Sequence, residues 1–483
     1  MGLAKAFTKI KEIRKKFKNT LLLDSGDLLQ GTPLVEYYSK YEKNKINPMI
    51  KAMNYMGYSS IGVGNHEYDF GIENLLKASK DAKFDFLSAN TYYFGTNKYL
   101  FKPYKIENIN GIRIAIIGFT TPGVSIWSKN IVDKKYYFDD IVNSAKKIID
   151  EIKEKSDIII AIPHSGLEDE DGKQGYSPSL GLPPENAGKL LAKNLKNIDV
   201  IILGHSHKEI KEMFINNVLI TQPKPFAQQL AIVNLKIDKK TKKNVSKKSE
   251  LIDLKDIEPS QEILDLLSED HNKTIEYVNK TIGISNEELK AENSKFEDTP
   301  IIDFVNKVQM EYTKADISAT SVFNDKAYIP KGNVKISHIA SIYIYENTLM
   351  AIKITGKKLK QYLEETVKFY DYKDGKVYQN KNIPQYNYDI FSGIDYVIDV
   401  NKPLGSRITK LKFKGKDVND DMVFTLALNS YRQSGGGGYS FLKDCEVVYY
   451  NQESIRDLII DYVRKKKYLN KNDFFEKNWE IVK

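Results

Sequence analysis

Four of the six histidines in this chain, His66, His164, His205 and His207, stand just past short apolar runs, and Asn65 and Asp27 stand there with them. The runs, residues 20–23, 59–63, 157–162 and 199–204, read as buried parallel strands. Imidazole nitrogens, an amide oxygen and a carboxylate are all metal ligands, and imidazole also carries protons near neutral pH. Parallel strands end on one edge of a sheet, where open α/β folds keep their ligands, so these side chains should converge. Histidine and carboxylate without cysteine suit Zn, Mn or a similar divalent ion. Asp69, three residues after His66, is close enough to orient that imidazole if a turn starts there. A plain strand-end cap would explain Gly64-Asn65-His66-Glu67 taken alone. It does not explain a strand followed by histidine three times over. A metal centre does.

The elements that must position these residues alternate along the chain. Helices are expected at residues 5–18, 47–56, 73–82, 139–153 and 186–195, interleaved with the strands. Residues 104–110 and 113–118 make a hairpin across Asn110-Gly111. Residues 218–222 and 229–237 read as closing strands of a second sheet, and 239–248 as a lysine-rich loop. Residues 168–182, acidic and then rich in Gly, Ser and Pro, read as a loop beside the site. The expected domains are residues 1–255, a linker helix over 256–280, and residues 281–483, where helices at 301–312 and 356–367 precede short strands after Gly393. The distinctive stretch of the second domain runs from Asn429 through Arg432 to Gly435-Gly436-Gly437-Gly438-Tyr439. Its glycines let backbone N–H groups approach an anion or a planar ring, and Tyr439 is placed to stack. A flexible surface loop is the alternative.

Composition narrows the class. A length of 483 residues, 28% charged and 41% hydrophobic, describes a soluble two-domain chain. The net charge of +9 is spread as lysine without an arginine-rich tract, which reads as a solvated surface and gives no expectation of a nucleic-acid polymer. The single cysteine, Cys445, excludes a disulfide framework and a cysteine metal cage. No window approaches twenty apolar residues, so no transmembrane helix is expected. The lysine-rich start leads into an amphipathic helix with no apolar signal-peptide core behind it. A helix leading to an inner strand implies that a preceding strand is missing.

Together these residues resemble a known family. Asp24-Ser25-Gly26-Asp27, Gly64-Asn65-His66-Glu67 with Asp69, His164-Ser165-Gly166 and Gly204-His205-Ser206-His207 look like the metallophosphoesterase signature of the 5′-nucleotidase superfamily. Phe323-Asn324-Asp325, Tyr345-Glu346-Asn347-Thr348, Tyr386-Asn387-Tyr388-Asp389 and the glycine-rich stretch look most like its bacterial 2′,3′-cyclic-nucleotide 2′-phosphodiesterase/3′-nucleotidase branch. The resemblance implies a two-sheet α/β metallophosphoesterase domain joined by a helix to an α+β nucleotide-binding domain, with the active cleft between them. It implies two divalent ions (Zn, Mn, Co or Mg). Asp27 would bridge them, Asn65, His164 and His205 would complete one site, and His207 would serve the other. His66, oriented by Asp69, would stabilise the phosphoryl transition state or protonate the leaving oxygen. Tyr388 and Tyr439 would sandwich the base, Asp444 would lie near the ribose, and Asn324, Asn429, Arg432, Gly435 and Gly436 would complete the nucleotide site.

Two departures qualify that pattern. The family's first Asp-x-His motif is absent, so one metal site is expected to be weakened and turnover impaired. At Asp325-Lys326-Ala327 the chain lacks the arginine of many 5′-nucleotidases, which favours the cyclic-phosphodiesterase branch. The implied activity is phosphoric ester hydrolysis by a monomer acting on a nucleotide. A 5′-nucleotidase or nucleotide-sugar hydrolase, or a nucleotide-binding surface protein without turnover, are the alternatives. Family members are periplasmic, wall-associated or extracellular. Without an export signal the expectation is cytoplasmic if Met1 is the true start.

Overall fold

The computed structural model describes residues 2–168 and 182–483, which form two compact units, Met1–Thr274 and Ile275–Lys483. Two sheets of the first unit carry the candidate site. One is three-stranded and parallel, with Leu23–Asp24, Ser60–Gly62 and Asp85–Leu87 in that order. The other is six-stranded and runs Ile210–Ile215, Val218–Gln222, Val200–Ile202, Ile158–His164, Ile112–Thr120, Tyr104–Ile109. Its four inner strands are parallel and its two outer pairs antiparallel. Strands buried on both faces need no polar alternation, and Ile158–His164 is buried at every position. The expected hairpin forms, with Asn110 and Gly111 both at positive φ, 53° and 83°.

The sheets pack face to face through Leu87, Ile114, Ile116, Ile160 and Ile162. Helices Ile141–Ile152 and Gly188–Asn194 cover the outer face of the larger sheet through Ala145, Ile148 and Leu191. Pro33–Lys40, Pro48–Met56 and Ile72–Asp81 cover the smaller one through Val35, Ile50, Met53 and Leu75. Two glycines set how closely the sheets approach. A Cβ on Gly62 would run into the carbonyl oxygen of Ile162, and one on Gly118 into that of Leu87. Helix Gly2–Lys16 buries Phe7 and Ile10 in a cluster with Ile263 and Leu267.

Three expectations change here. Gln229–Ile237 does not close the second sheet but pairs with Asn244–Asp253 as a two-stranded ribbon. Its alternate residues Val233, Leu235 and Ile237 pack on the layer between the sheets, so residues 244–248 are strand where a lysine-rich loop was expected. The connection is two helices, Gln261–Leu266 and Ser268–Val278, and the division between units falls inside the second. Most of the loop expected at 168–182 lies outside the described residues.

The second unit is α+β. Its main sheet has the order Asp389–Ser392, Ile317–Ser321, Val423–Asn429, Thr348–Thr355, Val447–Ser454. Helices Pro300–Thr313, Gly356–Thr366 and Ile455–Lys466 supply Phe304, Leu359 and Ile459 to a core shared with Ile317 and Leu426. No described helix is long and apolar enough to cross a membrane.

Candidate functional site

The site is assembled from the carboxyl ends of both sheets. The smaller sheet contributes the turn after Leu23–Asp24, with Gly26 at φ 96° and Asp27 at φ 65°, and the turn after Ser60–Gly62, with Asn65 and His66. Glu67 ties these turns together. Its buried carboxylate accepts backbone N–H bonds from Asp27 (2.9 Å), Leu28 (2.6 Å), Leu29 (3.2 Å) and Gly64 (2.6 Å). In turn Asp27 Oδ1 accepts the backbone N–H of His66 at 2.9 Å. The larger sheet contributes His164 at the end of its strand and His205, at φ 63°, beyond Val200–Ile202.

These side chains meet. Asn65 Oδ1 lies 3.0 Å from His164 Nε2 and 3.0 Å from His205 Nδ1, and Asp27 Oδ2 lies 3.0 Å from His164 Nε2. One ligand atom from each of Asp27, His164 and His205 falls within 4.8 Å of the others. Two ring nitrogens, an amide oxygen and a carboxylate oxygen turned on one another fit a divalent cation, which satisfies all four at once. His207 does not join this cluster. It is exposed, at φ 53°, with its ring edge-on to Phe226 at 5.3 Å, so the structure gathers the ligands of one expected ion and not of the other.

Charge at the site follows from burial and proximity. Burial opposes ionisation of Asp27, but His164 and His66 outweigh it and hold the carboxyl far below its usual range. Burial and the neighbouring Asp27 push Glu67 up to about 7. Burial disfavours a charge on His66, yet Asp69 and Asp27 overcome it and push the imidazole up to about 10. Its Nδ1 lies 2.7 Å from Asp69 Oδ2 across the short turn His66–Tyr68, and the side chain is 32% exposed. Asp69 and Asp27 thus favour the protonated imidazole of His66, which sits beside the cluster and is partly exposed.

The second-unit residues require a correction. Tyr388 is buried, stacked on Phe369 at 4.5 Å and hydrogen-bonded to the Tyr370 hydroxyl. Tyr439 is also buried, donating to the Asn387 carbonyl at 2.7 Å with its ring edge on Tyr362. Neither ring offers a face to a base. Arg432 is buried too, bonded through Nε (2.5 Å) and Nη2 (3.1 Å) to Asp389 and through Nη1 to the Gly436 carbonyl (2.6 Å). An interior guanidinium needs such a partner, so Arg432 shapes the glycine stretch from within. Asn429 caps the turn by accepting the Arg432 backbone N–H, and Gly435 takes φ 94°. Asn324 donates to the Ser341 carbonyl at 3.0 Å and is half-buried, while Asp444 is exposed. The ring that does face outward is Tyr386, 38% exposed, its backbone carbonyl held by Arg432 and Ser321.

Residues 2–209 match the calcineurin-like phosphoesterase family, and residues 278–444 match the 5′-nucleotidase C-terminal domain. The chain thus carries a calcineurin-like phosphoesterase domain followed by a 5′-nucleotidase C-terminal domain. It is 30% identical over 551 residues to the trifunctional nucleotide phosphoesterase protein YfkN of Bacillus subtilis, covering 100% of this chain but only 37% of that protein's length. It is 28% identical over 556 residues to the 2′,3′-cyclic-nucleotide 2′-phosphodiesterase/3′-nucleotidase of Haemophilus influenzae, covering 100% of this chain and 83% of that one. A solved candidate 5′-nucleotidase of Staphylococcus aureus, in complex with α-ketoglutarate, shares the fold with a TM-score of 0.86 at 24% identity, over 100% of this chain and 94% of the other. Both curated relatives are named as enzymes that act on phosphate esters of nucleotides.

Sequence reasoning assigned no role to Glu67, although it lies inside the quoted string, and did not single out Trp127 or Glu185. Trp127 stacks on His205 at 5.4 Å and 28°, and Glu185 Oε1 lies 3.2 Å from His205 Nε2. Nothing in their spacing marks them, because both act across folded distances.

Proposed function

We propose that this metallophosphoesterase hydrolyses phosphate esters of nucleotides, with 2′,3′-cyclic nucleotides and 3′-nucleotides as preferred substrates. The observation that carries this reading is the meeting of Asp27, Asn65, His164 and His205 beside a His66 whose protonated form is favoured. A bound divalent cation supplies Lewis acidity toward a phosphoryl oxygen and a more acidic water. The chain's own residues do the rest. Asp27, Asn65, His164 and His205 would hold the cation. His66 gives a hydrogen bond to the phosphoryl group and then its proton to the departing sugar oxygen, while Asp69 keeps the imidazole oriented and charged. Water adds to phosphorus as the P–O bond to the sugar breaks. With a cyclic phosphate the first such step leaves a monoester, and the second releases phosphate.

In the second unit, the base rests on the exposed ring of Tyr386, with Asn324 and Asp444 as polar candidates for the nucleotide. Asp325-Lys326 in place of an arginine supports the cyclic and 3′-substrates over 5′-nucleotides. The test is phosphate release by the purified chain with Mn2+ from 2′,3′-cyclic AMP, 3′-AMP, 5′-AMP and UDP-glucose. The first two should be turned over fastest. Preference for 5′-AMP or UDP-glucose moves the assignment to a 5′-nucleotidase or sugar-nucleotide hydrolase, and binding without release makes the chain a nucleotide-binding protein.

A further inference from the structure

The two clustered histidines present opposite ring nitrogens to the same point. His164 turns Nε2 inward, and its Nδ1 lies 2.6 Å from the Ser25 carbonyl oxygen. A carbonyl only accepts, so Nδ1 carries the proton and Nε2 keeps its lone pair for the centre. His205 turns Nδ1 inward, 3.0 Å from Asn65 Oδ1, and its Nε2 faces outward, 3.2 Å from Glu185 Oε1. Its ring is also fixed in plane by Trp127, stacked at 5.4 Å. That indole fits because residue 123 is glycine: a Cβ there would run into the Trp127 ring.

We propose that Glu185 is the positioning residue for His205. Its carboxylate accepts the hydrogen bond from Nε2–H, which selects the tautomer with a free lone pair on Nδ1. His164 receives the same service from a neutral backbone carbonyl, so side-chain substitution can tune the His205 side of the centre and not the His164 side. Carboxylates that hold the outer N–H of a metal-binding histidine typically govern metal affinity by 10–100-fold. The inference rests on reading the cluster as a metal centre.

The test is calorimetric titration of Mn2+ into the chelator-stripped full chain, as wild type and as Glu185→Leu, which removes the acceptor, together with selective 15N-histidine spectra of the metal-free proteins. Glu185→Leu should weaken Mn2+ binding about 10–100-fold. It should also convert His205 from the single Nε2–H form to a mixture, and leave the metal-free melting temperature unchanged. Wild-type Mn2+ affinity in the variant overturns the proposal. So does weakened affinity with the His205 tautomer unaltered, or a collapse of the metal-free melting temperature, which would make Glu185 a purely structural residue. A wild-type chain that takes up no Mn2+ overturns the metal-centre reading itself, a result distinct from these.

Discussion

Gly62 lies directly against the carbonyl oxygen of Ile162, with no space for a side chain between the two sheets. The strand of Gly62 leads to Asn65, and the strand of Ile162 ends at His164. The distance between two of the proposed metal ligands is therefore set by a glycine three residues before one of them. Gly62→Ala should destabilise the fold by roughly 1–3 kcal/mol through overpacking. It should also weaken metal binding, because Asn65 and His164 separate together with their sheets. Denaturant titration and Mn2+ calorimetry on the same variant check both effects, and wild-type metal affinity would show that the loops adjust independently of the sheets.

His66 should act in turnover without holding the metal. His66→Gln should lower kcat by about 10²–10⁴-fold, the usual range for a lost acid–base group, with metal content unchanged. Asp69→Asn removes one of the charges that keep His66 protonated up to about 10. The alkaline limb of the kcat profile should therefore move to lower pH. An unmoved limb would assign that ionisation to another group.

How far these residues could be read in advance depends on the distance over which each acts. The strand-then-histidine pattern is local, so the strands before Asp27, Asn65, His164 and His205 were legible, as was His66 with Asp69 three residues on; that these strands divide between two sheets instead of sharing one edge was not. Glu67 was not, because its meaning lies in a turn about forty residues earlier, where it binds the amides of Asp27, Leu28 and Leu29. In the second unit a residue type was mistaken for an environment. Tyrosine serves equally as an exposed platform and as a core residue with its hydroxyl satisfied, and Tyr388 and Tyr439 are the latter. Arg432 was expected in the nucleotide site, but its partner is Asp389, a residue distant in sequence.

Those assignments separate experimentally. Tyr386→Ala should raise KM for adenine and uracil substrates alike, since stacking, at roughly 1–3 kcal/mol, tolerates either base. Tyr388→Phe should leave KM unchanged and lower stability by about 1 kcal/mol, the net value of its hydrogen bond to Tyr370. A raised KM in Tyr388→Leu, which removes the ring, with none in Tyr386→Ala would restore the original sandwich.

Asp303 should make stability depend on pH. It is buried, accepts a hydrogen bond from Ser392 at 2.7 Å, and is pushed up to about 7 by burial and by nearby Asp298. Its unfolded value is near 3.8, so between those pH values the folded chain keeps a proton that the unfolded chain releases. The stability this contributes is fully present below about pH 4 and is lost as pH rises through about 7. The total is up to about 4 kcal/mol. Asp303→Asn should flatten the curve across this window, and parallel wild-type and variant curves from urea unfolding would count against it.

Asp27 and His205 both adopt positive φ, at 65° and 63°. For residues with a Cβ this backbone region costs on the order of 1 kcal/mol or more each, whereas glycine enters it freely. Each of the two is thus one substitution from a more relaxed main chain, and the relaxed version has lost a side chain of the proposed centre. Selection for heat tolerance or expression yield alone would drift toward glycine at these positions and arrive at a sturdier, silent protein. In a descendant of this chain, a glycine at position 27 or 205 would be the mark of a lineage that no longer uses the centre.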